Sequence, residues 1–209
     1  MYRDGSIAKY FEDASAGIPA PGGGSVSAFA GALATTMGSM AANFTVGKKK
    51  FREVAPRVRE ILDSLAAHRA KLLELTDEDV EAYGVVSAAY GMPKGTPEEK
   101  TARSAKIQEA LVVAMDVPLR TLRACRDVIA ELAALVDIAN PNLISDVGVS
   151  AILAEAALRG AGLNVEINLA FLKDEELVKK TAAEVDGLAE EAARTARDVV
   201  TKVEAKIKS

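Results

Sequence analysis

The stretch "LTDEDVEAY" carries two carboxylates that helical phase separates. Asp77 falls with Glu74 and Glu81 on a polar face, which predicts a solvated side chain. Asp79 follows Leu72 and Thr76 on an apolar stripe, with Tyr83 one turn later. A bare charge on such a stripe is costly to bury. Asp79 is therefore either ion-paired or functional, and burial would raise its pKa toward the range useful in acid–base chemistry. Asn164 and Asn168 share a helical face in "GAGLNVEINLAF", where amides must find hydrogen bonds, across helices or to a ligand. Asn43 sits in a charge-free helix with the same two readings.

Two further groups offer binding chemistry. "PGGGS", Pro21–Ser25, leads into a helix, whose N-terminal N–H groups suit a ligand that glycine lets approach. It is not a phosphate loop, because no Lys-Ser/Thr pair follows Gly24. The alternative is a tight turn before a crowded helix. Lys48, Lys49 and Lys50 end that helix, either as a solvated complement to its dipole or as a landing site for a polyanion. Ser145 and Asp146 read as a cap and first turn. His68 and Cys125 are the sole histidine and cysteine, too few for the usual zinc sites or an internal disulfide.

Elements must carry these groups. Ser6 caps a short helix bearing Ile7, Tyr10 and Phe11. The second helix starts near Ser25. Ser27, Gly31, Thr35 and Ser39 form a small-residue ridge on it, and Val26, Phe29, Leu33, Met37, Met40 and Phe44 cover another face. Two packing faces predict a helix that is central or lies between subunits. A third helix spans about Pro56–Tyr90. Thr96, Pro97 and Glu99 form a start signal for the next, which Pro118 should kink or divide. "NPN", Asn140–Asn142, breaks the chain before a helix to about Phe171, and a last amphipathic helix follows "KDEELVKK".

The periodicity predicts an all-α bundle of about six or seven helices in one domain, residues 1–209. Aromatic residues make up only 4% and there is no Trp, so the core must be built from Ala, Leu, Val and Ile. A net charge of −4 argues against non-specific nucleic-acid binding. Ala, Gly, Ser and Thr dilute the charge-free run, so it reads as a buried helix and not a membrane span. Asp4, Glu12 and Asp13 break any leader pattern, which makes the cytoplasm the expected address.

Taken together, "PAPGGGSVSAFAGAL", "NFTVGKKKF", "DEDVEAY", "MPKGTPEEK", "DVPL", "NPNLISDVGVSA" and "NVEINL" resemble the cyclodeaminase/cyclohydrolase family of folate enzymes, in order and over nearly the whole chain. That family includes the C-terminal domain of formiminotransferase-cyclodeaminase and free-standing methenyltetrahydrofolate cyclohydrolases. The resemblance implies an all-helical homodimer with folate bound in a groove near the subunit interface.

It also implies a reaction: hydrolysis of 5,10-methenyltetrahydrofolate to 10-formyltetrahydrofolate, without metal or added cofactor. The alternative is formiminotetrahydrofolate cyclodeamination, releasing ammonia. A non-catalytic dimer binding folate or a protein is the reading from another class. The family's catalytic aspartate maps onto "DEDVEAY", where phase selects Asp79. The expected substrate-binding residues are Pro21, Gly22, Gly23, Gly24, Ser25, Asn43, Lys48, Lys49, Asp146, Asn164 and Asn168. The lysines would attract the glutamate tail on electrostatic grounds.

Overall fold

The computed structural model describes residues 1–208. Six α-helices follow in order: α1 (Ile7–Ser15), α2 (Gly23–Asn43), α3 (Ala55–Tyr90), α4 (Pro97–Ile138), α5 (Ile144–Leu169) and α6 (Glu175–Lys208). Short 3-10 turns at Lys49–Phe51 and Pro141–Leu143 complete the list, and no strand occurs among the described residues. The expected all-α bundle is therefore observed. No helix among those residues is long and apolar enough to cross a membrane.

Small side chains set the packing. α2 buries Ser27, Gly31, Thr35 and Ser39, the ridge expected from the sequence. A methyl group on Gly31 would lie 2.8 Å from Cys125 Sγ, and one on Gly38 would lie 2.8 Å from Leu132 Cδ2. The backbone of α2 thus runs against the side chains of α4. α5 packs antiparallel to α2: Asn164 meets Gly23, Gly160 meets Ser27, and Ser150 Oγ donates to the Ala34 carbonyl at 2.6 Å. Ile61, Leu65, Leu72, Leu122, Ile129, Leu132 and Leu158 are fully buried and fill the centre. The opposite α2 face packs only in part within the chain, with Phe29 against Tyr10 and Met37 half-buried. Val26, Leu33, Met40 and Phe44 are exposed.

Helix starts follow local chemistry with three departures, the first at α1, where Ser6 holds the cap position but its side chain makes no cap hydrogen bond. Thr96 and Glu99 form the reciprocal cap expected at α4. α2, however, begins at Gly23, with Gly22 as its cap, so the glycines belong to the helix and not to a turn before it. α5 begins at Ile144, which puts Ser145 inside the helix and not at its cap. α4 runs through Pro118 without dividing. Pro118 is buried between Val117 and Leu119, also buried, so packing on both sides holds the two halves in one helix.

Candidate active site

The N-terminus of α2, the middle of α3 and the C-terminal half of α5 meet at a cleft of about 340 Å³. α4 closes it with Leu111 and Ala114. Gly22, Gly23, Gly24, Asp79, Asn164 and Asn168 line it, together with Pro19, Tyr83, Val86, Tyr90, Ile167 and Phe171. One polar end with a single carboxylate thus grades into an aromatic and aliphatic wall.

Asp79 reaches the α2 terminus because residue 24 has no side chain. A Cβ there would lie 2.0 Å from Asp79 Oδ1. The Ser25 N–H donates to Asp79 Oδ2 at 2.9 Å, so a free amide of the first helical turn meets the carboxylate. Burial pushes the Asp79 pKa up, and the Ser25 hydrogen bond opposes part of that rise. No cation pairs with Asp79 among the described residues, which answers the ion-pair alternative.

Ser25 itself is fully buried. Its Oγ donates to the Thr76 carbonyl at 2.8 Å and lies 3.0 Å from the Tyr10 hydroxyl. The serine's one proton goes to the carbonyl, so Tyr10 is the donor in the second contact. A relay from α1 through Ser25 to α3 therefore fixes the amide that holds Asp79. Tyr10 is buried and packs against the rings of Tyr2 and Phe29.

Asp77 corrects the expectation of a solvated side chain. It is 6% exposed and accepts from the backbone N–H groups of Tyr2 and Arg3, with the Arg3 guanidinium 3.8 Å away. The chain's first residues fold over α3 there, a tertiary contact that helical phase does not encode.

Asn164 and Asn168 sit side by side at the cleft. Asn164 Nδ2 donates to the Gly160 carbonyl at 2.8 Å, and Asn168 Nδ2 to the Asn164 carbonyl at 2.7 Å. A Cβ on Gly23 would lie 3.0 Å from Asn164 Nδ2, so this second glycine also makes room for a polar side chain. Pro21 is buried, and Pro19 takes the lining position instead.

Six expected binding residues do not line this cleft within the chain: Pro21 and Ser25 are buried beside it, and four others lie far from it. Asn43 is the last residue of α2, about 30 Å from its glycines at 1.5 Å per residue, and Lys48 and Lys49 come after it, so the helix ends before the lysines expected to close it. Asp146 is in the first turn of α5, at that same end because the two helices are antiparallel. Lys48 is exposed, with its ammonium 5.8 Å from the Phe44 ring centroid. Sequence reasoning missed the wall of Tyr90, Leu111, Ala114, Ile167 and Phe171. Tyr90, Ile167 and Phe171 are exposed apolar residues, and their periodicity reads as ordinary core.

Against this geometry the comparisons are specific. The model of the formiminotransferase-cyclodeaminase family matches residues 6–187. The chain belongs to that family. It is 40% identical over 202 residues to a methenyltetrahydrofolate cyclohydrolase of Methylorubrum extorquens, covering 97% of each chain. It is 32% identical to the formimidoyltransferase-cyclodeaminase of Rattus norvegicus, spanning 97% of this chain but 38% of that protein. The crystal structure of a formiminotetrahydrofolate cyclodeaminase from Thermotoga maritima superimposes with a TM-score of 0.87 at 31% identity, covering 97% of both chains. The resemblance noted from the motifs is thus a family relationship extending along nearly the whole chain.

Proposed function

We propose that the chain is a methenyltetrahydrofolate cyclohydrolase acting as one domain. The observation that carries this reading is the 40% identity to a protein of that name, spanning 97% of each chain. The cleft suits the chemistry. The methenyl bridge of the substrate is a cation spread over two nitrogens and a carbon. Asp79 is the one carboxylate lining the cleft, and it would face that charge. Water adds to the bridging carbon, Asp79 accepts a proton from the water, and the C–N5 bond opens to give 10-formyltetrahydrofolate with net release of one proton. The raised pKa of Asp79 suits a group that must take and return a proton. Tyr83, Tyr90 and Phe171 supply ring faces for the heterocycle. The steps assigned to these side chains use no metal or added cofactor.

Cyclodeamination is the second reading, favoured by the 31% identity to the Thermotoga maritima cyclodeaminase. It passes through a similar tetrahedral carbon but expels ammonia. Two assays on the purified chain decide between them: loss of methenyltetrahydrofolate absorbance, and ammonia release from formiminotetrahydrofolate. Methenyl loss above the buffer rate without ammonia supports the hydrolase. Ammonia release at the higher specificity constant overturns it in favour of the deaminase. No turnover in either overturns both and leaves the binding-protein reading.

The acting form we infer is a homodimer, in the cytoplasm. Val26, Leu33 and Met40 of α2 and Val149, Ile152 and Leu163 of α5 are exposed apolar residues on two helices that pack against each other, the kind of surface a second copy would cover. A two-fold axis near Leu33 would set α2 against its own copy, with Val26 opposite Met40. That packing brings the far end of α2, with Asn43, Lys48, Lys49 and the neighbouring Asp146, toward the other subunit's glycine end. Asn43, Lys48, Lys49 and Asp146 would then belong to the second copy's site, the lysines facing the anionic tail. Leu33→Glu should give a monomer in sedimentation velocity; an unchanged dimer overturns this packing.

A further inference from the structure

Pro118 lies in the interior of α4, where proline removes one helical hydrogen bond. The carbonyl deprived of its ordinary donor is that of Ala114, four residues earlier. Ala114 lines the cleft. Among side chains, Asn168 Nδ2 donates to this carbonyl, at 3.5 Å. That nitrogen gives its other hydrogen to the Asn164 carbonyl at 2.7 Å, and at 3.5 Å the Ala114 contact is long and leaves the second lone pair of that carbonyl unused by a side chain. Both amide nitrogens of Asn164 and Asn168 are engaged by backbone carbonyls, which leaves their amide oxygens as the free ends of two cleft-lining side chains. A proline disfavoured by helix propensity thus coincides with a wall of hydrogen-bond acceptors at a binding cleft.

We propose that the Ala114 carbonyl, released by Pro118, acts with the side-chain oxygens of Asn164 and Asn168 as an acceptor subsite for the donor edge of the pterin ring. That edge presents a ring N–H beside an exocyclic amino group, two donors that need acceptors when water is excluded. The proposal rests on the folate reading above and deepens it. Pro118 is a specificity-determining residue that acts through a backbone atom.

Ala114–Met115 is the sole Ala–Met pair in the sequence. Carbonyl-13C alanine with 15N methionine therefore yields a single backbone resonance, that of the Ala114 carbonyl. Titration of the whole chain with 5-formyltetrahydrofolate should move this carbonyl downfield. A 2-desamino-2-methyl analogue keeps the ring N–H but lacks the amino donor, so it should bind more weakly and move the carbonyl less. Pro118→Ala, which restores the helical donor, should melt at a higher temperature yet bind 5-formyltetrahydrofolate about tenfold more weakly. Saturation without a carbonyl shift overturns the subsite and leaves the folate reading intact. Failure of 5-formyltetrahydrofolate to bind at all overturns both. Where Pro118→Ala does not fold, or where its affinity and the wild-type shift disagree, the wild-type carbonyl shift decides.

Discussion

The Asp79 carboxylate occupies the space that a side chain on residue 24 would need: a Cβ on Gly24 would sit 2.0 Å from Oδ1. The two residues form one unit, since absence of a side chain on α2 permits the carboxylate of α3 to reach the Ser25 amide. Gly24→Ala should displace Asp79 and lower turnover by about 100-fold or more, the scale expected when a catalytic group moves by about 1 Å. Gly23→Ala, whose Cβ would meet the Asn164 amide at 3.0 Å, should act mainly on KM. Steady-state kinetics on the two variants, each checked for native helicity by circular dichroism, separates these outcomes.

Ionising Asp79 is opposed by burial in the folded chain. A carboxyl whose folded pKa is raised contributes stability below its unfolded value, near 4, and loses that contribution as pH rises through the folded value. Asp79→Asn should therefore melt above the wild type at pH 7, because the amide oxygen still accepts from Ser25 without carrying a charge. The difference should vanish below about pH 4. Melting curves across this range check the sign.

How much of this was legible follows from which interactions are local. The α2 ridge, the α4 cap and the inward phase of Asp79 are set by spacing along one helix, and the structure keeps all three. Burial of Asp77 depends on Tyr2 and Arg3, some 75 residues away, so the periodicity of α3 could not reveal it. The glycines were visible as a feature, but their function was not. Nothing in "PGGGS" says that Asp79 and Asn164 will need that space. Neither the motif resemblance that groups Asn43 and Asp146 with the cleft nor the charge argument that adds Lys48 and Lys49 contains the distance along α2, whose two ends helix length separates by about 30 Å.

The Tyr10 relay predicts an effect from a side chain outside the cleft. Tyr10→Phe keeps the ring contacts with Tyr2 and Phe29 and removes the proton donated to Ser25. Loss of this buried bond should cost about 1 kcal/mol in stability. It should also loosen the Ser25 amide, so the acid limb of kcat moves to higher pH as the carboxylate loses part of the bond favouring its charge. Tyr2→Phe, which removes a hydroxyl contact to Asp13 in the same N-terminal segment, should leave that limb in place. A pH–rate profile for each variant makes the comparison.

Close approach of α2 to α4 has its own signature. A methyl group on Gly31 would meet Cys125 Sγ at 2.8 Å, with Leu72 as close as 3.2 Å. Gly31→Ala should destabilise by about 1–3 kcal/mol through overpacking. Adding Cys125→Ala should return part of that loss, because the thiol is the nearest obstacle. Urea unfolding of both single variants and the double variant measures the coupling. Burial pushes the Cys125 thiol up to about 12, so iodoacetamide should leave it unmodified until the chain unfolds.

The chemistry assigned to Asp79 is tested most directly by the rate at which Asp79→Asn consumes methenyltetrahydrofolate, measured on protein shown to be folded and to bind 5-formyltetrahydrofolate. Turnover should fall by about 100-fold or more, toward the buffer rate, with binding retained. A variant that binds the ligand and turns over within about twofold of the wild type would contradict a proton-transfer role for this carboxylate.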